Sequence, residues 1–173
     1  MSSIDRMKSQ MSALERALAG LPGVQGYKEK ELRRAADRQV REALVQLLED
    51  QRSRITALQL DLVQSGRLEW VDDLERAIGK LQLLMDQAKT AAYGYAGFFD
   101  ADKVREAELE ALAQFDQEMI RRAGELQERI SSIAQAMSSQ EDLGQAMRDL
   151  INLLADLNQQ WRHRSEAMHR AVE

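Results

Sequence analysis

Residues 143–168 read LGQAMRDLINLLADLNQQWRHRSEAM, and the large side chains along them return at alternating steps of four and three. The positions that follow this spacing are Leu143, Met147, Leu150, Leu154, Leu157, Trp161, Arg164 and Met168. Because such steps place side chains on one face of an α-helix, the stretch predicts a long amphipathic helix. The same spacing recurs from Ile4 to Val172 with one proline, Pro22, and therefore predicts an all-α protein.

Glycine, proline and serine residues divide this pattern into five predicted helices. The first occupies 3–19 within an N-terminal segment 1–20, and the glycines and proline of 21–27 predict a hinge after it. The four longer predicted helices lie within 28–173 and span 28–64, 68–98, 101–137 and 140–172.

The connections between the four longer helices are only two or three residues in this assignment. Short connections make consecutive helices antiparallel neighbours. The sequence therefore predicts an elongated up-down-up-down four-helix bundle, coiled-coil-like, with an additional short N-terminal amphipathic helix.

The aromatic and glycine-rich stretch 93–99 reads YGYAGFF and could be a loop or the end of the helix 68–98. The apolar spacing continues through it, so we extend the helix to residue 98. Folding this helix onto 28–64 then places the small residues Ala35 and Ala36 opposite Gly94, Ala96 and Gly97, which predicts a close crossing of two backbones.

Arg164 occupies a core-facing position in the last predicted helix. Folding 140–172 onto 101–137 places Trp161 beside Phe115 and brings Arg164 within reach of Glu110 and Asp116. Acidic partners would compensate a buried arginine, but an arginine that extends to water at the end of the bundle is an equally good interpretation.

Opposite charges are expected at one end of the bundle. Residues 28–41 are basic by three charges, whereas residues 100–110 are acidic, and an up-down topology places both at the same end. Mutual pairing between helices is the simpler interpretation. A docking surface for a charged partner or a second copy is the alternative.

Composition excludes several classes of protein. The chain has no cysteine, which removes disulfides and thiolate chemistry and fits a cytoplasmic protein. It has no run of about 18 apolar residues and no signal-peptide pattern, so we expect it to be neither integral to a membrane nor exported. Its net charge of −5 argues against general binding of nucleic acid.

Catalytic and metal-binding patterns are weak. A ferritin-like di-iron site is the enzyme hypothesis that a four-helix bundle suggests, but it needs histidines on two helices. The two histidines, His163 and His169, both lie in the last predicted helix, where Glu166 could join them only in an adventitious site. We therefore expect no enzyme activity, no catalytic residue, no cofactor and no dedicated metal.

The first predicted helix is the best candidate for function, because the four longer helices already close a bundle. Its apolar stripe is the predicted partner-binding site and consists of Ile4, Met7, Met11, Leu14 and Leu18. The stripe could pack on its own bundle, on a second copy or on another protein. We expect a non-enzymatic adaptor or scaffold that binds a protein partner and self-associates; a peripheral membrane-associated coiled coil and a degenerate ferritin-like metal protein are the alternatives.

Three motifs resemble a family of small helical bacterial proteins with no established activity. They are Leu21-Pro22-Gly23-x-x-Gly26-Tyr27, Arg33-Arg34-x-Ala36-Asp37 and the stretch from Tyr93 to Val104. The resemblance covers about residues 21–120 and supplies no catalytic residue. It implies a bacterial setting and the company of membrane-associated scaffold systems of the flotillin or phage-shock type.

Overall fold

The structure, a computed structural model, describes residues 13–139 and 141–173. The α-helices in these ranges are α1 (Ala13–Ala19), α2 (Val24–Lys28), α3 (Arg33–Gln64), α4 (Val71–Thr90), α5 (Ala96–Asp100), α6 (Glu106–Ser138) and α7 (Leu143–Arg170). Single 3-10 turns at Lys30–Leu32, Leu68–Trp70 and Ala91–Gly94 precede or follow the longer helices. None of the helices in the described ranges is long and apolar enough to cross a membrane.

The four long helices α3, α4, α6 and α7 form a four-helix bundle, as the sequence predicts. Helices α3 and α4 are an antiparallel hairpin, in which Arg52 donates to Gln82 at 2.6 Å and Gln59 donates to Glu75 at 2.6 Å. Helix α3 ends at Gln64, the predicted end of the helix 28–64, and Ser65 is its C-cap. Gly66 has φ +75°, a conformation that favours glycine, and ends α3.

Helices α6 and α7 form the second antiparallel hairpin. Arg122 donates to Gln160 at 3.2 Å, and Arg164 near the end of α7 donates to Asp116 near the start of α6 at 2.6 Å. The side chain of Asp142 caps α7 by accepting the Gln145 amide at 3.1 Å.

The two hairpins lie side by side, with α4 against α7 and α3 against α6. Trp70 lies next to Gly144 at one end of the α4–α7 contact, and Asn158 donates to the Lys80 carbonyl at 3.0 Å further along. Helices α4 and α7 therefore run parallel, and so do α3 and α6. It follows that α4 and α6, which are consecutive among the four long helices, lie on a diagonal of the bundle.

This diagonal explains why the predicted helix 68–98 is wrong at its C-terminal end. Helix α4 ends at Thr90, and residues 91–105 cross the end of the bundle to reach α6. A connection of two or three residues cannot cross it. Helix α6 accordingly begins at Glu106 rather than at residue 101, and Arg105 is its N-cap.

The predicted crossing of small residues is also wrong. A Cβ atom added at Gly97 would lie 3.5 Å from Val172, and one added at Gly94 would lie 3.8 Å from His169. The glycines of the crossover therefore face the C-terminal end of the chain. Ala36 instead lies beside Gly26, 3.5 Å from the position that a Cβ atom would take there.

The segment 21–27, interpreted from sequence as a hinge, includes most of α2. Tyr27 in this helix is fully buried, so α2 is anchored on the bundle. The residues between α1 and α2 are Gly20, Leu21, Pro22 and Gly23.

Ion pairs join residues 28–34 to the end of the crossover and the first residue of α6. Lys28 pairs with Glu106, Lys30 with Asp102 and Arg34 with Asp100, which agrees with the expected mutual pairing of charges at this end. The hydrogen bond from Lys30 lowers the pKa of Asp102 below its ordinary value. Because both side chains of that pair are largely exposed, it contributes little to stability.

Arg33 is the buried residue that holds the crossover in place. Its guanidinium donates to the carbonyls of Tyr27 at 2.7 Å, Phe98 at 3.2 Å and Ala101 at 2.8 Å. Arg33 thus joins α2, α5 and the residue after α5 to the first turn of α3.

We predict that Arg33→Met lowers the free energy of unfolding by about 3 kcal/mol, because carbonyls that accept from a charged donor lose it. Arg38→Met, at an exposed position of the same helix, should change it by less than about 0.5 kcal/mol. Equilibrium urea denaturation measures both. Equal values for the two variants would show that Arg33 does not anchor the crossover.

Candidate functional site

The bundle core contains a cluster of charged and polar side chains, which we call the Arg164 cluster: Arg164, Asp116, Asp37, Tyr27 and Arg41. Arg164 is fully buried. Its guanidinium donates to Asp116 through Nε at 2.6 Å and through Nη2 at 3.2 Å, and to Asp37 through Nη1 at 3.0 Å. One side chain of α7 therefore binds carboxylates of both α3 and α6.

The remaining members complete these hydrogen bonds. The Tyr27 hydroxyl donates to Asp116 at 2.6 Å, and Arg41 donates to Asp37 at 2.8 Å. Burial raises the pKa of Tyr27 well above its ordinary value, and the Asp116 carboxylate raises it further. Burial alone would lower the pKa of Arg164, but Asp116 raises it well above its ordinary value.

The cluster confirms one sequence prediction and corrects another. Asp116 is the predicted acidic partner of Arg164, whereas Glu110 is exposed and Asp37 takes the second place. The alternative in which Arg164 extends to water is wrong, since its side chain is fully buried with the Trp161 ring 4.9 Å from its guanidinium carbon. Each carboxylate is occupied by cationic donors, so the cluster is suited to fixing helices rather than to proton transfer.

The second candidate is the place where α1 contacts the bundle. Helix α1 packs in the groove between α3 and α6. Leu14 lies directly over Gly124 of α6, and a Cβ atom added to that glycine would stand 2.6 Å from the Leu14 side chain. A distance under 3.0 Å is shorter than real Cβ contacts, so a residue other than glycine at position 124 would require the Leu14 side chain to shift.

A small residue of α1 makes the neighbouring contact. Ala17 is 6% exposed and lies with Ala43 and Leu47 of α3 along the same groove. At its edge Arg16 pairs with Asp50 at 3.5 Å. We call this surface the α1 seat; it consists of Gly124, Ala43, Leu47 and Asp50.

The structure describes two of the five predicted partner-binding residues. Leu14 is partly buried in the α1 seat, whereas Leu18 is 38% exposed at the outer side of α1. Ile4, Met7 and Met11 lie outside the described residues. The predicted stripe therefore meets the bundle through Leu14, with Ala17, which the sequence pattern did not single out.

Sequence reasoning also missed Gly124. The sequence held one indication of it, because Gly124 lies inside the predicted helix 101–137. There a glycine lowers helix stability by about 1 kcal/mol relative to alanine. A glycine retained at such a position often has a packing reason. In the described ranges, no three or more His, Asp or Glu side chains, those of His163, Glu166 and His169 included, form a group placed to hold an ion.

We predict that Arg164→Met lowers the free energy of unfolding by about 3–5 kcal/mol, because Asp37 and Asp116 are left buried without their main cation. Adding Asp37→Asn and Asp116→Asn should recover much of this loss. Equilibrium urea denaturation of the single and the triple variant measures both values. A triple variant as unstable as Arg164→Met would contradict this origin of the loss.

For Gly124→Ala we expect a loss of about 1–3 kcal/mol, since the new methyl group overpacks against Leu14. The matched control is Gly79→Ala on exposed α4 surface, where no atom lies within 4 Å, and there the better helix propensity should stabilise by up to about 1 kcal/mol. In a Leu14→Ala background, Gly124→Ala should behave like the control. Thermal and urea unfolding of the four variants would show whether the two sites are coupled.

Comparison of the chain with protein-family models, curated proteins and solved structures finds no match. The chain is thus a small all-helical protein for which the comparisons identify no family. The resemblance carried by the motifs of residues 21–120 stays a prediction.

Proposed function

We propose that this protein is a non-enzymatic helical adaptor or scaffold that acts through protein–protein contacts and self-associates, with α1 and the α1 seat as its recognition elements. The observation that carries the proposal is the fit of Leu14 into the space left by the missing side chain of Gly124. The fit is close, because a side chain at position 124 would require that of Leu14 to move.

The position of α1 supports this proposal. The bundle of α3, α4, α6 and α7 closes through its own core, in which residues such as Leu44, Leu81, Met119 and Leu154 are fully buried. Of the described residues of α1, only Ala17 belongs to this core, with Leu14 packed against it, and the helix is joined to α2 by only Gly20–Gly23. A helix that is bound at the surface and tethered by glycines is suited to exchanging one docking site for another.

The charges of α1 favour protein over a membrane as its partner. Glu15 and Arg16 carry opposite charges on the described part of the helix, and Arg16 is paired with Asp50. A helix that lies on an anionic membrane presents a strongly basic face instead. We further propose a cytoplasmic setting, which the cysteine-free sequence supports.

We predict that deletion of residues 1–20 leaves a folded helical bundle but changes self-association or partner binding. Among the described residues before Tyr27, the main core contains Ala17, with Leu14 and Leu21 packed against it, and the Arg164 cluster contains none. Met11→Asp combined with Leu14→Asp should have the same effect. Circular dichroism checks the fold, and sedimentation velocity over a range of concentrations checks association.

The matched control is Leu83→Asp, which introduces an acid at an exposed leucine of α4 away from α1. It should leave association as in the parent protein. If the truncated chain unfolds, α1 is an ordinary part of the core. If the truncated chain keeps the association state of the parent protein, α1 has no role in assembly. Either outcome is evidence against the proposal.

A further inference from the structure

We propose that the α1 seat binds the α1 helix of a second copy of this chain, so that two copies exchange their first helices. This inference rests on the proposed function and names the partner. Each copy would insert its Leu14 over the Gly124 of the other copy. The two contacts are related by a two-fold axis, which closes the assembly at a dimer.

The complementarity of α1 and its seat identifies the occupant. The seat has a missing side chain at Gly124 and a shallow surface at Ala43, and it requires a helix with a large apolar residue followed three positions later by a small one. Leu14 and Ala17 have this spacing. Every copy of the chain therefore carries both the seat and a helix that fits it.

Charge at the edge of the seat points to the same occupant. Glu42 and Asp50 of α3 lie along the edge where α1 presents Arg16, and Arg16 pairs with Asp50. An acidic edge selects a helix with a cation between its two apolar contacts. The α1 helix of a second copy has that cation at the position required.

The chain between α1 and α2 provides the hinge. Gly20, Leu21, Pro22 and Gly23 can span about 14 Å when extended. Helix α2 stays fixed on the bundle, because Tyr27 is fully buried and its carbonyl accepts from Arg33 at 2.7 Å. Leu21 of the hinge packs against the main core, so rotation about the hinge moves α1 together with Leu21 and leaves α2 in place.

The same contacts form whether α1 docks on its own bundle or on a second one. Their balance is therefore set by the hinge and by the protein concentration. A short flexible tether gives the docking within one chain an effective concentration on the order of millimolar. The sharpest test removes docking within one chain and asks whether docking between chains remains.

Two full-length variants separate the helix from the seat. Leu14→Asp spoils the helix and leaves the seat intact, whereas Gly124→Leu blocks the seat and leaves the helix intact. Neither variant alone can form the contact, but the α1 helix of Gly124→Leu can dock on the seat of Leu14→Asp. Native mass spectrometry and sedimentation velocity should show the mixture shift from monomer to a one-to-one heterodimer.

A crosslink locates the contact, because the chain has no cysteine of its own. Arg16→Cys is added to the Gly124→Leu variant and Asp50→Cys to the Leu14→Asp variant, and the mixture is treated with a short bismaleimide. The two positions face each other in the docked helix, so a crosslinked heterodimer is expected. Leu83→Cys in place of Asp50→Cys puts an exposed thiol on α4 and should give only background product.

Absence of a heterodimer in the mixture, with both variants folded by circular dichroism, would overturn the exchange. So would a crosslink that forms equally well with Leu83→Cys. If the parent protein nevertheless loses self-association on deletion of residues 1–20, the adaptor proposal stands and only the exchange is wrong. Should Gly124→Leu fail to fold, Gly124→Ala replaces it, because its smaller side chain still collides with Leu14.

Discussion

A fully buried guanidinium is the constraint on which the arrangement of the helices depends. Arg164 cannot leave water without compensation, since an unpaired buried charge costs several kcal/mol. Its partners Asp37 and Asp116 come from α3 and α6, and Tyr27 brings α2 to the same point. Apolar helix faces tolerate sliding by a turn, but these hydrogen bonds form only at one relative position of the four elements.

The Arg164 cluster lies beside the crossover, and the guanidinium carbon of Arg164 is 5.9 Å from the ring of Tyr95. The parallel pairing of α4 with α7 forces residues 91–105 across the end of the bundle, where their aromatic side chains would otherwise face water. Tyr95, Phe98 and Phe99 pack there with Tyr27 and other buried residues in a second, smaller core. Arg33 donates to carbonyls of α2 and of the crossover, which holds the two segments together. The crossover and α2 thus cover the end of the bundle that the four long helices leave open.

The sequence predicted what depends on neighbours along the chain. Helical periodicity found the four long helices, the end of α3 at Gln64 and the pairing of Arg164 with Asp116. It could not tell which hairpin faces lie side by side, because an apolar stripe fits several neighbours equally well. The end of α4 was therefore misplaced. The contact of Leu14 with Gly124 was missed for the same reason, since nothing local to either residue indicates the other.

The packing at Gly124 explains why α1 and the α1 seat bury their apolar surface only when they are in contact. Relative to alanine, a glycine inside α6 costs about 1 kcal/mol of helix stability, and its missing side chain leaves a gap in the surface between α3 and α6. Only a helix with a residue such as Leu14 fills that gap. When α1 leaves, both Leu14 and the groove beside Ala43 are exposed to water, so the seat and the helix are each incomplete alone. The glycine thus favours occupancy without specifying whose helix occupies the seat, and the hinge at Gly20–Gly23 leaves that choice to concentration and to the partners present.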